Sequence, residues 1–515
     1  YGAKFIDRFR DADNRHWVLA RAPLNCVLDA TESVILSYQL EVESAGHEVD
    51  RVLDDIEDRI RDLSEYYRPS SAEAGGYSPA GAASGSEFGA AIAAAGDRNG
   101  DGIDDLLVGA PGAGAGEAWF LFLSPDGSVA FDQRLEPGSG EAPFRADSGQ
   151  RFAASLAPLG DLNGDGTGDF AAGAPDAEDG RGAVWILLMN QDETVASYSR
   201  IAAPSASTRD VPVERAAFGT HLASAGDVDG NGFRDVIVGA SRPSGSGAAT
   251  ELVFLGEGGT VVSRRALRGR LGSGERVSAL LDRMTGPVAG PGDINGDRIP
   301  DVVIASESPG DGRGVLLVLM LDSGGRVLRS RVIDPRAEGF PASVGRFGTS
   351  LAALEDLDGN GINDLVVGAG NGEPPWFVYL EENGGVRWAQ RLDQMDGGFR
   401  DAERAGAGFA SALGPAGDMD DNGSVDLAVG SPKRAGREAG TVWLLPNSRA
   451  QHRKPSVIRP RRVDGDPLQL RGSGYELHEF VVTERSKVTF EVLTSGGRRR
   501  SHWIDRPLTE SGGET

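Results

Sequence analysis

Six copies of a nine-residue acidic pattern constrain the fold of this chain more than any other feature. The copies begin at Asp97, Asp161, Asp227, Asp293, Asp356 and Asp418 and read DRNGDGIDD, DLNGDGTGD, DVDGNGFRD, DINGDRIPD, DLDGNGIND and DMDDNGSVD. They recur every 62–66 residues. A fixed long period of this kind is typical of repeat architectures, in which each repeat is one structural unit. Any fold for this chain must therefore present six equivalent acidic loops.

The spacing of the acidic side chains indicates a calcium loop. Oxygen-bearing side chains fall at the first, third, fifth and ninth positions of every copy. Ca²⁺ takes six to eight oxygen ligands, whereas Mg²⁺ demands a rigid octahedron and zinc prefers His and Cys, which none of the loops contains. The alternative is a set of metal-free turns, because Asp, Asn and Gly favour turns by themselves. The sixfold recurrence favours calcium.

The loops differ from the helix–loop–helix calcium site, which needs a Glu at its twelfth position. The twelfth residues here are all apolar, and each begins or continues an apolar run that predicts a strand: Val108, Ala172, Val238, Ile304, Val367 and Val429. We therefore expect a calcium loop between two β-strands, closed by the ninth-position Asp as a bidentate ligand.

Up to six structural Ca²⁺ ions are predicted, with ligands at positions one, three, five, seven and nine. Two glycine positions depart from the pattern, with Arg298 at the sixth place of one loop and Asp421 at the fourth place of another. The predicted ligands are Asp97, Asn99, Asp101, Ile103, Asp105; Asp161, Asn163, Asp165, Thr167, Asp169; Asp227, Asp229, Asn231, Phe233, Asp235; Asp293, Asn295, Asp297, Ile299, Asp301; Asp356, Asp358, Asn360, Ile362, Asp364; Asp418, Asp420, Asn422, Ser424 and Asp426.

Each repeat reads as four short antiparallel strands. A short opening segment precedes the acidic loop, an apolar strand follows it, and a turn of small residues leads to a glycine-containing hairpin. Such glycine turns join antiparallel strands. A four-stranded sheet of this size cannot bury both faces alone, but units arranged around an axis can. The pattern predicts a β-propeller, with an open solenoid as the alternative.

The repeats resemble the FG-GAP repeats of the integrin α-subunit headpiece and of certain fungal lectins. The resemblance rests on FG before the loop and GAP after the strand, and it covers about Phe88 to Pro446. It implies an all-β, integrin-alpha-like propeller with the calcium loops on the lower face and partners on the opposite face or the side. Family members commonly have seven blades, whereas six are recognisable here. The fourth unit also departs, with Met284-Thr285 and Ala305-Ser306-Glu307 at the motif positions.

The repeats leave two flanking regions. Residues 1–69 are predicted to form a small α/β segment, with a strand at Ser33–Val42 and an amphipathic helix from Val49 to Tyr67. Residues 70–87, rich in Ser, Gly and Ala, are predicted to be a linker to the propeller at 88–450. Residues 451–515 form a basic β tail, which is either an irregular seventh blade or the start of a β-sandwich.

Composition limits the functional classes. The net charge of −25 argues against nucleic-acid binding, which needs a basic face. Cys26 is the single cysteine, so no internal disulfide can form, and no apolar run is long enough to span a bilayer. Because low-affinity calcium modules usually work outside cells, we expect an extracellular or cell-surface protein whose signal peptide has been removed.

The sequence favours an interaction module over an enzyme. Its histidines are scattered, and most of its distinctive carboxylates lie in the loops. We expect a calcium-stabilised secreted propeller that mediates adhesion, protein–protein binding or self-assembly. A carbohydrate-binding lectin is the alternative, and a polysaccharide-acting enzyme is less favoured. Sugar sites would need exposed aromatics, for which the candidates are Trp119, Trp185, Trp376 and Trp443, although these could instead pack between blades.

Overall fold

The chain divides into two compact units in a computed structural model. One unit comprises Tyr1–Ser71 with Arg453–Thr515, and the other comprises Ala72–His452. The described residues are 4–10, 16–21, 76–124, 127–203, 216–240, 250–267, 286–306, 314–338, 340, 346–394, 408–420, 422–432, 439–447, 459–461, 469–471, 488–493 and 499–504.

The larger unit contains six antiparallel sheets, which we call blades one to six. Within each blade, strands that follow one another in the chain are hydrogen-bonded neighbours. Blades one to three contain Ala91–Gly96, Asp105–Ala110, Glu117–Leu123 and Val129–Leu135; Ser155–Gly160, Asp169–Ala174, Ala183–Met189 and Val195–Ala202; and Phe218–Gly226, Asp235–Ala240, Glu251–Gly256 and Thr260–Ala266. Blades four to six contain Val288–Gly292, Asp301–Ser306, Val315–Leu321 and Val327–Ile333; Leu351–Ala353, Leu365–Val367, Trp376–Leu380 and Val386–Arg391; and Ala412–Pro415, Leu427–Ser431 and Thr441–Leu445.

Burial changes systematically across a blade. Every residue of the six third strands is buried, as is every residue of the second strands of blades one, two, three, five and six. The fourth strands are mostly exposed or half-buried. Continuous apolar runs therefore form the middle of each sheet because neighbouring blades cover both of its faces. The polar fourth strands form the rim.

The ring closes after six blades. Each first strand lies beside the first strand of the next blade, and that of blade six lies beside that of blade one. Six apolar cores fill the spaces between successive blades, and the core that contains Phe88 and Leu444 joins blade six to blade one. This closure confirms the predicted propeller and shows that the six blades of the described residues complete the ring.

Tyr77 completes the closing interface. Its N–H donates to the carbonyl of Val442 at 2.7 Å, and the Val442 N–H donates to the Tyr77 carbonyl at 2.9 Å. Blade six, for which three strands of its own are described, thus receives an outer partner from the segment before blade one. The Tyr77 hydroxyl also donates to Asp132 of blade one. Residues 76–87, the described part of the predicted linker, therefore help to close the ring.

The paired FG and GAP positions have a steric explanation. A methyl group on Gly109, the GAP glycine of blade one, would lie 2.1 Å from the carbonyl oxygen of Ala153 in blade two. A methyl group on Gly430 of blade six would likewise lie 2.1 Å from the carbonyl oxygen of Gly89 in blade one. At these two interfaces the main chains of adjacent blades therefore approach so closely that only glycine fits. In blade four, Ala305 takes this place, and a methyl group on Gly348 would lie 3.1 Å from its Cβ.

Helical structure within the described part of the ring is confined to short turns. These are Ala177–Gly180, Glu257–Gly259 and Leu392–Gln394. None of the described helices is both long and apolar enough to cross a membrane.

The described residues of the smaller unit form two sheets. Lys4–Arg10 pairs antiparallel with His16–Arg21. Arg459–Arg461, Gln469–Arg471, Val488–Leu493 and Arg499–Ile504 form a second sheet, whose middle pair is parallel, unlike any pair within a blade. The predicted strand at Ser33–Val42 and the predicted helix from Val49 to Tyr67 lie outside the described residues.

We expect Gly430→Ala to weaken ring closure. The added methyl group would collide with the carbonyl of Gly89, and overpacking of this kind typically costs about 1–3 kcal/mol. The free energy of unfolding from urea titration measures the effect. Gly140→Ala is the matched control, because a methyl group there has no neighbour within 4 Å. Equal stabilities for the two variants would contradict the steric account.

Candidate metal centres

All six acidic loops connect the first and second strands of a blade, as the sequence predicted. The ninth residue either begins the second strand, as Asp105 does, or directly precedes it, as Asp364 does. The hairpin that joins the third and fourth strands lies at the same end of its blade as the acidic loop, because successive strands run antiparallel. The candidate metal centres therefore share one face of the ring.

The ninth-position Asp is the buried anchor of each loop. Its side chain is fully buried in all six loops. One carboxylate oxygen accepts the N–H of the second loop residue at 2.8–3.0 Å. The other accepts an N–H at the end of the third strand or just beyond it, at 2.6–3.0 Å. Both oxygens are therefore positioned by the main chain, and each retains a lone pair for a cation.

The first-position Asp shapes the loop around itself. In the loop at Asp97, Oδ1 accepts the N–H groups of Gly100 and Asp101 at 2.7 and 3.1 Å, and Oδ2 accepts that of Gly102 at 2.9 Å. The bond from the sixth residue recurs in every loop at 2.6–2.9 Å. The first Asp thus draws the chain into a tight turn, and the acids at both ends of the loop face its interior.

The third and fifth positions divide the loops into two classes. The loops at Asp97, Asp161 and Asp293 have Asn at the third position and Asp at the fifth, whereas the loops at Asp227, Asp356 and Asp418 have the reverse. In the reversed class the fifth-position amide nitrogen donates at 2.7 Å to the carbonyls of Leu255, Leu380 and Asn447. These Asn side chains therefore tie their loops to the chain at the end of the third strand.

The reversed class brings three carboxylates together in each loop. The first, third and ninth acids of these loops each place a carboxylate oxygen within 4.8 Å of the others: Asp227, Asp229 and Asp235; Asp356, Asp358 and Asp364; and Asp418, Asp420 and Asp426. The donors are all oxygens, as Ca²⁺ requires. At Asp358, one carboxylate oxygen is buried and has no hydrogen-bond partner. These residues fit a hard divalent cation.

The seventh residues differ in side chain but share a main-chain role. Their N–H groups donate to the side-chain oxygen of the fifth residue in five loops, at 2.7–2.9 Å. The side chains of Ile103, Thr167 and Ser424 are buried. This bond orients the fifth side chain toward the loop interior. The seventh residue thus supports its neighbour, and its own role as a ligand remains a prediction.

Burial raises the pKa of the ninth-position carboxyl groups. The pKa rises to about 6 for Asp169 and Asp235 and to about 7 for Asp301, Asp364 and Asp426, mainly because burial disfavours the charged form. Neighbouring carboxylates of the same loop add to the increase, while the two main-chain N–H bonds oppose it. The pKa of Asp105 is raised for the same first reason. Without a cation, each site is therefore strained by its own negative charge at neutral pH.

The fourth loop tolerates its unusual residue. Arg298 adopts the left-handed conformation of the glycines it replaces, with φ of +70°, and its N–H still donates to Asp293 at 2.6 Å. The loop geometry is thus kept despite the cost of this conformation for a residue with a Cβ. Asp421, the other unusual residue, lies outside the described residues.

Two arginines at the loops were not among the site residues predicted from the sequence. Arg98, the second residue of the first loop, forms a buried ion pair with Glu193 of blade two. Arg387, in the fourth strand of blade five, donates to the second carboxylate oxygen of Asp358 at 2.9 Å. The partners lie 95 and 29 residues apart in the chain. Only the charge of Arg98 among the apolar second residues could have drawn attention to it.

The four candidate sugar-binding tryptophans are buried. Trp119, Trp185, Trp376 and Trp443 are 2–7% exposed and belong to the apolar cores between blades. Phe144 and Phe340 pack against Trp185 and Trp376 at ring-centroid distances of 4.9 and 5.3 Å. The alternative that these residues pack between blades is the one the structure supports.

Four segments of the chain match the family model for the FG-GAP repeat. They are residues 88–121, 152–187, 218–252 and 347–379. These segments begin at the FG positions of blades one, two, three and five and run through the loop into the third strand. Blade four, whose motif positions are altered, is not among the matched segments.

Integrin α chains are among the similar proteins. Integrin alpha-PS5 of Drosophila melanogaster is 36% identical over 162 residues, and integrin alpha-4 of Xenopus laevis is 37% identical over 158 residues. Each alignment covers 30% of this chain and 14–15% of the relative, so the chain spans a small part of these relatives' length. An Aleuria aurantia lectin in complex with alpha-methyl-L-fucoside is 8% identical, with a TM-score of 0.38 over 69% of this chain and 94% of the lectin.

The repeats, the strand order and the closed ring agree with these similarities. Each matched segment contains one complete acidic loop between the first two strands of its blade. This chain carries FG-GAP repeats and is an integrin-α-like β-propeller.

Proposed function

We propose that this chain is an extracellular, calcium-stabilised interaction module without catalytic activity. The six loops would each hold one Ca²⁺, and the stiffened ring would present a surface to a protein partner or to further copies of the chain. The observation that carries the proposal is the sixfold recurrence of a fully buried ninth-position Asp, which in three of the loops lies within 4.8 Å of two further carboxylates.

Electrostatics explains why a cation would stabilise this fold. Carboxylates that share a small loop repel one another, and the buried ninth acid cannot be solvated by water. A divalent ion bound among them would remove the repulsion and favour the ionised form. Because the ninth acid also bonds the chain at the end of the third strand, the ion would act on the blade as a whole.

An extracellular location fits the same chemistry. Modules with Ca²⁺ dissociation constants of about 10⁻⁴–10⁻³ M work where calcium is abundant outside cells. Similarity to integrin α chains supports this location and a role in binding proteins. The acidic character of the chain does not favour binding to nucleic acid, which needs a basic face.

A catalytic role is not part of the proposal. Strongly shifted carboxyl groups often mark catalytic sites. Among the described residues, the carboxyl groups with a pKa raised to about 6 or 7 are all ninth residues of the loops. Their shifts have a structural cause, which is burial against the main chain they bond.

We expect calcium removal to lower the melting temperature of the chain. A ligand that binds only the folded state stabilises it by about 2.7 kcal/mol per site at a hundredfold excess over Kd. Calorimetry in millimolar calcium and in EGTA measures the change, and magnesium in place of calcium is the control. Equal melting temperatures in calcium and EGTA would contradict the proposal.

We expect Asp364→Asn to remove one calcium site. The amide nitrogen would face one of the two N–H groups that the carboxylate accepts, from Leu357 and Leu380, and the cation would lose a charged ligand. An unsatisfied buried donor costs about 1–3 kcal/mol. Atomic absorption and calorimetry should show one bound ion fewer and a smaller calcium-dependent stabilisation. Asp147→Asn, at an exposed acid outside the loops, should leave both unchanged.

We expect the metal-free chain to lose stability as pH rises from 5 to 7.5. The ninth acids have folded pKa values of about 6 or 7 against an ordinary value of 3.8, so the folded state binds more protons in this window. The free energy of unfolding is greatest at a pH below the ordinary pKa and declines as the pH rises through the raised pKa. Urea titrations in EGTA measure the decline, and saturating calcium should abolish it. Stability that increases with pH in EGTA would refute this reasoning.

We expect the interaction role to appear as association in solution. Light scattering of the full chain at several concentrations, in calcium and in EGTA, measures its mass. A mass that increases with concentration in calcium alone supports self-assembly through the stiffened ring. A monomer under every condition excludes self-assembly and restricts the proposal to a different protein partner.

A further inference from the structure

Two residues of the repeats are exceptional at their positions. Arg98 is the second residue of the first loop, where the other loops have apolar residues: Leu162, Val228, Ile294, Leu357 and Met419. Glu193 lies in the hairpin of blade two with φ of +64°. The equivalent hairpin places are occupied by glycines of similar φ: Gly127, Gly259, Gly325 and Gly384. Glu193 thus adopts a conformation that disfavours a residue with a Cβ.

The two exceptional residues bind each other across the interface of blades one and two. Arg98 Nε donates to Glu193 Oε2 at 2.8 Å, and Nη2 donates to the same oxygen. Both side chains are only 4% exposed. The guanidinium lies 5.4 Å from the ring centroid of Phe120 in blade one and 6.0 Å from that of Phe170 in blade two. The two residues that differ from their equivalents in the other repeats therefore contact each other. Packing common to all blades does not explain this pair.

Arg98 joins the first two loops directly. Its main-chain N–H donates to Asp105, the ninth acid of loop one, at 2.9 Å. Its guanidinium Nη1 donates to the carbonyl of Gly168 at 3.0 Å. Gly168 is the eighth residue of loop two and directly precedes that loop's ninth acid, Asp169. Arg98 therefore contacts Asp105, the ninth acid of loop one. It also contacts Gly168, which directly precedes the ninth acid of loop two.

The neighbouring interface lacks such a polar connection from its second-position side chain. A methyl group on Gly259 in the hairpin of blade three would lie 3.5 Å from Cδ1 of Leu162, so the side chain at this place makes apolar contact. An apolar side chain fills space without fixing the orientation of a carbonyl in the next loop. The buried guanidinium, with fixed donor directions, does fix it.

We propose that Arg98 couples the first two metal sites, so that a cation bound at the Asp97 loop raises the affinity of the Asp161 loop. This inference rests on the proposed calcium function. A cation at loop one would hold Asp105, and Asp105 would hold the Arg98 main chain. The guanidinium would then hold Gly168 and pre-position Asp169. By linkage, a cation at loop two raises the affinity of loop one by the same factor.

Amide hydrogen exchange of each loop as a function of calcium concentration tests the coupling. Asp97→Ala disables loop one, and the readout is the calcium concentration that half-protects the amides of residues 161–169. We expect this concentration to rise about fivefold or more, the lower end of typical allosteric coupling. In an Arg98→Leu/Glu193→Gly background, which restores the residues found in the other repeats, Asp97→Ala should leave it unchanged.

A matched control uses an interface without the ion pair. Asp356→Ala disables loop five, whose second residue is Leu357, and the calcium midpoint of residues 418–426 in loop six should stay constant. The melting temperature supplies a second check on the pair. Arg98→Leu alone leaves Glu193 buried without its partner and should lower the melting temperature, whereas the double variant should recover it.

The outcomes separate this inference from the proposed function. An equal shift in both backgrounds, or no shift in either, overturns the role of Arg98 while the loops still bind calcium. If calcium protects none of the loops in the unmodified chain, the proposed function itself fails, and this inference fails with it. A shift confined to the unmodified background establishes the coupling.

Discussion

A buried carboxylate that accepts two main-chain hydrogen bonds is the interaction on which this structure depends. In every blade the ninth loop residue, such as Asp301, bonds the start of its own loop and the end of the third strand. Three strands and a loop are thereby fixed to one side chain. The same side chain carries a charge that is costly to bury, because it is removed from water. Structural anchoring and the demand for a cation thus arise from a single residue, repeated six times around the ring.

The close approach of neighbouring blades is the second constraint. Glycine at the GAP position allows the main chain of one blade to touch the main chain of the next, as between Gly430 and Gly89. The apolar cores between blades are then filled by side chains from both neighbours. Closure is completed by Tyr77, whose main chain pairs with blade six and whose hydroxyl bonds blade one. Local backbone sterics and long-range packing therefore specify the same ring.

The repeats also serve as an internal comparison, in which an exceptional residue stands out against the equivalent residues of the other blades. Arg98 and Glu193 each violate the common pattern, and they lie within hydrogen-bonding distance of each other. Arg387 bonds Asp358 in the fifth loop, where that acid is more buried than its equivalent Asp420. Such differences make the six sites chemically unequal although their loops are built alike. Sites that share a fold can therefore differ in affinity and in coupling.

The sequence by itself determined the repeat, the strand–loop–strand unit and the oxygen donors at fixed spacing, because these depend on residues close together in the chain. It also indicated the propeller, since short amphipathic sheets must bury both faces. It left open whether six or seven blades close the ring, because closure depends on how Phe88, Leu444 and Tyr77 meet across the whole chain. Only the tertiary structure decided that the tryptophans are buried and that Arg98 reaches Glu193. Those contacts join residues far apart in sequence, and no local spacing encodes which blade faces will meet.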